Sequence, residues 1–192
     1  MSKVLRGYSP GMRWDHLFDD LEAQFAQRER QEVLAQVPDR TRHERAQVSW
    51  FDRVAAGVGT KIVLSTVAGP VEGELTDLGR DWVVVEEPGR SSAIVPATAI
   101  VSIGGLGRRS DQAPSVTRRF GLGVALRGIS RDRSAVAVHD TAGSVWVGTI
   151  DFVGSDHVEV VLHPADAVRR GGAVTGRRVL PWAAIAVIRR IG

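Results

Sequence analysis

The spacing of hydrophobic residues changes character twice along this chain. From Met12 they recur at intervals of three and four, and Trp14, Leu17, Phe18, Leu21 and Phe25 fall on one face of a helix. Asp15, Asp19, Asp20 and Glu22 crowd its start while Arg28 and Arg30 come later, the order that the helix dipole favours. The stripe fades through Arg28, Glu29 and Glu32, and Pro38 ends the helix. A second helix opens on Thr41-Arg-His-Glu44, which reads as a capping box. It carries Ala46, Trp50, Phe51 and Val54 on its apolar face until Gly57 and Gly59 stop it. Ahead of both, the turn residues Ser9-Pro10-Gly11 mark a mobile arm. Beyond residue 60 the helical period gives way to short β-branched runs separated by glycine, proline and aspartate, the pattern of strands and tight turns.

The β-patterned part is written twice. With one residue inserted after the first glycine of the second copy, Gly73, Leu75, Leu78, Gly79, Asp81, Val83 and Val85 fall on Gly148, Ile150, Val153, Gly154, Asp156, Val158 and Val160. The closing segments match as well: Ile94, Pro96, Ile100 and Ile103 lie on Val179, Pro181, Ile185 and Ile188. A repeat of this length marks a duplicated structural unit. The predicted organisation is an arm with two helices over 1–57, a β unit over 58–105, a linker with a glycine-rich short helix within 106–133, and a second β unit over 134–192. Short strands with regular turns predict a mainly β protein of two tandem, small, bent antiparallel barrels of Sm-like or SH3-like kind. Gly73 and Gly148 mark where a strand bends without a side chain in the way. Pro96 and Pro181 are expected at bends or edges. The second copy departs in one hairpin, between Val160 and Val179, which is about ten residues longer and carries Arg169, Arg170, Arg177 and Arg178. Such an insertion is the natural place for function.

Composition changes this picture at three points. With no cysteine, disulfides and thiolate metal sites are excluded. No apolar run approaches the roughly 20 residues that span a bilayer, so a cytoplasmic protein is expected, without a membrane partner. Arginine supplies all but two of the 25 basic residues, and charge is uneven: residues 58–105 hold three basic against six acidic groups, residues 106–192 thirteen against seven.

A helix followed by a bent five-stranded unit with a Gly-x-Leu motif (Gly73, Leu75), a turn, a Val-x-Val strand (Val83, Val85) and a closing Ile-x-x-Ile (Ile100, Ile103) resembles the Sm and Sm-like fold, including the bacterial host-factor RNA chaperone. That resemblance implies RNA-binding rings. The family's motif aspartate falls on Gly79 and Gly154, its base-contacting asparagine on Val83 and Val158, and its second motif on Pro96-Ala-Thr98 and Pro181-Trp-Ala183, so the usual nucleotide pocket is absent from both copies. Residues 12–24 are also similar to bacterial proteins labelled Fis-type transcriptional regulators. A helix-turn-helix reader needs a recognition helix late in a helical domain, whereas this chain ends in β pattern.

Candidate chemistry is sparse. His16, His43, His139, His157 and His163 show no paired metal spacing, with His157 and His163 expected as solvated or hairpin groups. No serine sits in a nucleophile elbow, and neither catalysis nor a cofactor is expected. Asp81 and Asp156 are expected to bond their own turn backbones. What stands out is arginine in doublets. Arg118, Arg119, Arg169, Arg170, Arg177, Arg178, Arg189 and Arg190 form the predicted nucleic-acid-binding set, with Trp146 or Trp182 as stacking platforms. Three functions follow: RNA association through phosphates, an interaction scaffold recruiting protein partners through Trp14, Phe18, Leu21 and Phe25 or assembling head to tail as a homo-oligomer, and a DNA-binding regulator.

Overall fold

The structure, a computed structural model, describes residues 27, 48–89, 92–110, 119–164 and 174–191. The chain divides into two compact units, Met1–Val48 and Ser49–Gly192. Almost all described residues belong to the second unit. The predicted helix bearing Trp14, Phe18, Leu21 and Phe25, and the capping box at Thr41, lie outside the described residues.

A short helix, α1 (Trp50–Ala55), begins at Ser49, whose hydroxyl accepts the Asp52 amide at 3.0 Å and so satisfies one orphan donor of the first turn. Val54 is its buried anchor. Five strands follow: β1 (Lys61–Thr66), β2 (Gly69–Leu78), β3 (Trp82–Glu86), β4 (Ala93–Pro96) and, after a single 3-10 turn at Ala97–Ala99, β5 (Ile100–Gly104). The second half repeats the order with α2 (Leu122–Asp132), β6 (Ala135–Asp140), β7 (Val145–Val153), β8 (His157–Leu162), β9 (Gly176–Pro181), a 3-10 turn at Trp182–Ala184 and β10 (Ile185–Arg190). Pro96 and Pro181 each close a strand just before the 3-10 turn, where a missing amide costs no ladder bond.

The duplication holds at the level of register. Ile62 pairs with Gly73 as Val136 pairs with Gly148, and Leu75 pairs with Val85 as Ile150 pairs with Val160. Both long strands slip at the same place, between Leu75 and Asp77 and between Ile150 and Phe152. A bulge there inserts one residue, bends the strand and shifts the alternation of buried side chains. Gly73 and Gly148 lie two residues ahead of it. A Cβ on either would collide with the facing backbone carbonyl, of Glu86 and of Val161 respectively, so the close approach of the strands demands glycine.

Expected as two tandem barrels, the β units form halves of one ten-stranded antiparallel sheet, in the order β5-β1-β2-β3-β4-β10-β6-β7-β8-β9. The reason is the join. The outer edge of β4 is taken by β10 of the second half, with Ile94 opposite Ile188 and Ala93 opposite Arg189. Two apolar cores result and they trade residues across the join. Ala186 and Val187 of β10 complete the core built on Val54, Ile62, Leu64, Val71, Leu75, Val83 and Val85. Trp82, Val84 and Ile94 of the first half pack against the core of Leu126, Val136, Val138, Ile150, Val158, Val160 and Ile185.

The linker helix, predicted within residues 106–133, forms at Leu122–Asp132 although Gly123 and Gly128 disfavour it. Its start is supported from the first half: the Asp81 carboxylate accepts the Leu122 amide at 2.7 Å, and the Phe120 carbonyl accepts the Trp82 indole at 3.0 Å and the Arg80 amide at 2.9 Å. Asp81 therefore caps a helix in the other half, and it also pairs with Arg80 of its own turn at 3.5 Å. Gly123, a cost in propensity terms, lets the Trp182 ring lie against the helix, since a Cβ there would meet that ring at 2.8 Å.

Candidate functional site

The join between the halves is the best-defined polar and apolar arrangement in the unit. Arg189, on β10, donates from Nε to Glu87 Oε2 at 2.7 Å and from Nη2 to Oε1 at 3.3 Å, a two-pronged pairing, while Nη1 lies 3.1 Å from His139 Nε2. The side chains of this pair are 14% and 7% exposed, so each charge depends on the other for its solvation. The Arg190 amide adds a bond to the Ser92 carbonyl at 3.2 Å.

Among the described residues, β5 and β9 form the two outer edges of the sheet. They are the strands whose counterparts make the internal join: β5 corresponds to β10, and β9 to β4. Val101 stands where the buried Ala186 stands in β10 yet is 71% exposed, and Val179 stands where Ile94 stands in β4 yet is 61% exposed. Beside β5 runs a groove of about 370 Å³ lined by Trp50 and Arg53 of α1, by Ile100, Val101, Ser102 and Ile103, and by Leu106. Arg53 fixes its rim by donating to the Gly107 carbonyl at 2.9 Å. The charge pair of the internal join has no equivalent here, because Leu162 replaces Glu87 and Gly104 replaces Arg189.

The predicted arginine set does not form one cluster among the described residues. Arg118, Arg169 and Arg170 lie outside them, and Arg119 and Arg190 are exposed. Arg189 is taken up by Glu87. Arg177 donates to Asp151 at 3.2 Å, a carboxylate it shares with Arg133 at 3.1 Å. Arg178 lies over the Trp146 ring, its carbon 4.9 Å from the centroid, with one bond from Nη1 to the Arg177 carbonyl at 3.2 Å. Successive side chains on a strand point to opposite faces, so a doublet on a strand divides between two surfaces rather than acting as one.

Trp146 is held from its polar end. Its indole N–H donates to Asp140 Oδ2 at 2.9 Å, while Oδ1 accepts the Ala142 and Ser144 amides at 2.9 and 2.8 Å and shapes the β6–β7 turn. These donors, the indole first, hold the Asp140 carboxyl below its ordinary value. Trp182, the other predicted platform, has its indole nitrogen buried without an acceptor among the described residues. His163, expected near solvent, is buried. Its Nε2 meets the Thr149 hydroxyl at 2.7 Å, and its Nδ1 faces the Pro164 carbonyl, an acceptor, at 2.9 Å. His157, partly exposed, bonds Asp156 at 2.7 Å.

Among the described residues no three His, Asp or Glu side chains gather as a metal site, and no helix is long and apolar enough to cross a membrane. No protein-family model matches this chain, and a search of curated proteins finds no match to it.

Proposed function

We propose that this protein is a self-assembling scaffold, built from two Sm-like units, that extends by repeating its internal join between chains. One observation carries the reading: the join needs a β4-type edge and a β5-type edge, and among the described residues one of each stands at the rim of the sheet without a further strand, β9 and β5. Val101 is exposed at the position where β10 buries Ala186, and Val179 is more exposed than the half-buried Ile94 of β4. A sheet edge is a template for further pairing. Each chain offers two different edges, so the contact is head to tail and generates a ring or an open filament. Charge agrees with the direction, the more acidic first half meeting the more basic second half.

Equivalence fixes the register. Ile188 faces Ile94 internally, so Ile103 of one chain faces Val179 of the next. The chain has no cysteine, which makes the test clean. Ile103→Cys and Val179→Cys, prepared separately and mixed under mild oxidation, give a covalent dimer, because facing residues of an antiparallel pair lie within disulfide reach. Light scattering on the wild-type chain reads a mass above the 20.7 kDa of one chain, and Val179→Lys lowers it. A single-chain mass at every concentration, with no heterologous cross-link, rules the scaffold out.

A second reading, association with RNA, is favoured by Arg178. Its guanidinium rests on an indole and has no carboxylate partner among the described residues. Affinity that falls steeply with salt is the expected signature. An absorbance ratio at 260 and 280 nm typical of protein alone, with no binding to added RNA at low salt, removes this reading.

A further inference from the structure

The two halves can be compared position by position, and under one turn they differ in a way that packing does not require. In the first half Leu64 pairs with Val71 and Val85 pairs with Ala93, and Val71 and Ala93 are fully buried in the core. In the second half the same register positions pair Val138 with Trp146 and Val160 with Arg178. An aliphatic corner has become an indole under a guanidinium. Thr66, which forms the first turn by accepting the Ala68 amide, corresponds to Asp140, which forms the second turn and also grips the indole N–H. The ring is thereby fixed in orientation, while the arginine above it is exposed and, among the described residues, its guanidinium bonds the Arg177 carbonyl alone.

We infer that Trp146 and Arg178 form a nucleobase-binding site, in which the base of a nucleotide slots between indole and guanidinium and Arg178 pairs with the attached phosphate. This rests on the second reading above and gives it a location. A fixed indole offers a flat face to any base. The guanidinium stacks on aromatic rings and keeps donors at its edge for a phosphate. The same charge repels cationic ligands, which would otherwise be natural occupants of a tryptophan face. Among the described residues Arg178 has no acidic partner, unlike Arg177 and Arg189, so lifting it by the thickness of a ring breaks no ion pair with them.

The test uses the full chain and two probes, adenosine or uridine 5′-monophosphate and an unstructured single-stranded RNA of about ten nucleotides. Binding is read by calorimetry at low salt for the wild type, for Trp146→Val with Arg178→Ala, which installs the first half's own pair, and for Arg178→Gln, which leaves the indole in place. The expected result is wild-type binding that weakens roughly tenfold or more in the double variant and less in Arg178→Gln, with both variants keeping the wild-type circular dichroism. If the double variant fails to fold, Arg178→Gln alone decides. Equal sensitivity with the monophosphate and the strand identifies a free nucleotide as the ligand; sensitivity with the strand alone identifies RNA. Wild-type binding that both variants retain overturns the site while leaving RNA association standing elsewhere on the chain. No wild-type binding to either probe overturns both.

Discussion

Thr66, Val71 and Ala93 close one corner of the first half, and Asp140, Trp146 and Arg178 occupy the same three positions in the second. Around these corners the backbones agree in register, bulge, glycine and the proline that precedes each 3-10 turn. Features dictated by chain geometry have survived duplication. Features that depend on a neighbour have diverged, and at the join they diverged as a pair: Glu87 against Leu162, and Arg189 against Gly104. The internal join carries a buried ion pair, and the two outer strands of the sheet among the described residues, β5 and β9, lack its counterpart.

The largest effect is expected from breaking that ion pair. Glu87→Ala leaves the Arg189 guanidinium buried without its partner, at a cost of about 3–5 kcal/mol in chemical denaturation. Replacing the pair together, Glu87→Leu with Arg189→Met, recovers most of that loss, since packed apolar groups replace a buried ion pair at little net cost. A double variant no more stable than Glu87→Ala would mean that the ion pair is not what joins the halves.

Next in size are the glycines that the two halves share. Gly73→Ala and Gly148→Ala each push a Cβ into the carbonyl of the facing strand, and each is expected to cost about 1–3 kcal/mol. Their equality is the sharper expectation. If one is tolerated and the other is not, the halves are not equivalent at the bend.

These glycines, the prolines and the two-fold repeat were legible from spacing alone, because each reflects a local demand of the backbone, whereas the bulge after each glycine was not. The join was not. Arg189 and Glu87 lie far apart in sequence, and only their coordinated departure from the other copy, Gly104 and Leu162, hints at a pair. Reading Arg177-Arg178 and Arg189-Arg190 as units failed for a physical reason: strand alternation sends one member to a carboxylate and leaves the other on the opposite face. Asp81 was recognised as a recurring turn residue, but its bond to Leu122 depends on where the linker returns, which no local pattern states.

The smallest expected effect separates the two corners by pH. The carboxyl of Asp140 is held below its ordinary value by the Trp146 indole and the turn amides, so the native state favours the ionised form. A group depressed in the folded state contributes stability that is fully present above its unfolded value, about 3.9, and is lost as pH falls through the folded one. Thr66 does not titrate. Asp140→Asn keeps an oxygen for the turn and removes the proton, so its stability relative to wild type should improve as the solution is taken from neutral towards about pH 3. The measurement is the difference in denaturant midpoint between the two chains at each pH, which cancels the other carboxylates they share. A difference that does not change with pH would show that Asp140 holds the Trp146 ring by shape alone, and the corner would then lack the charged anchor that fixes the indole for a base.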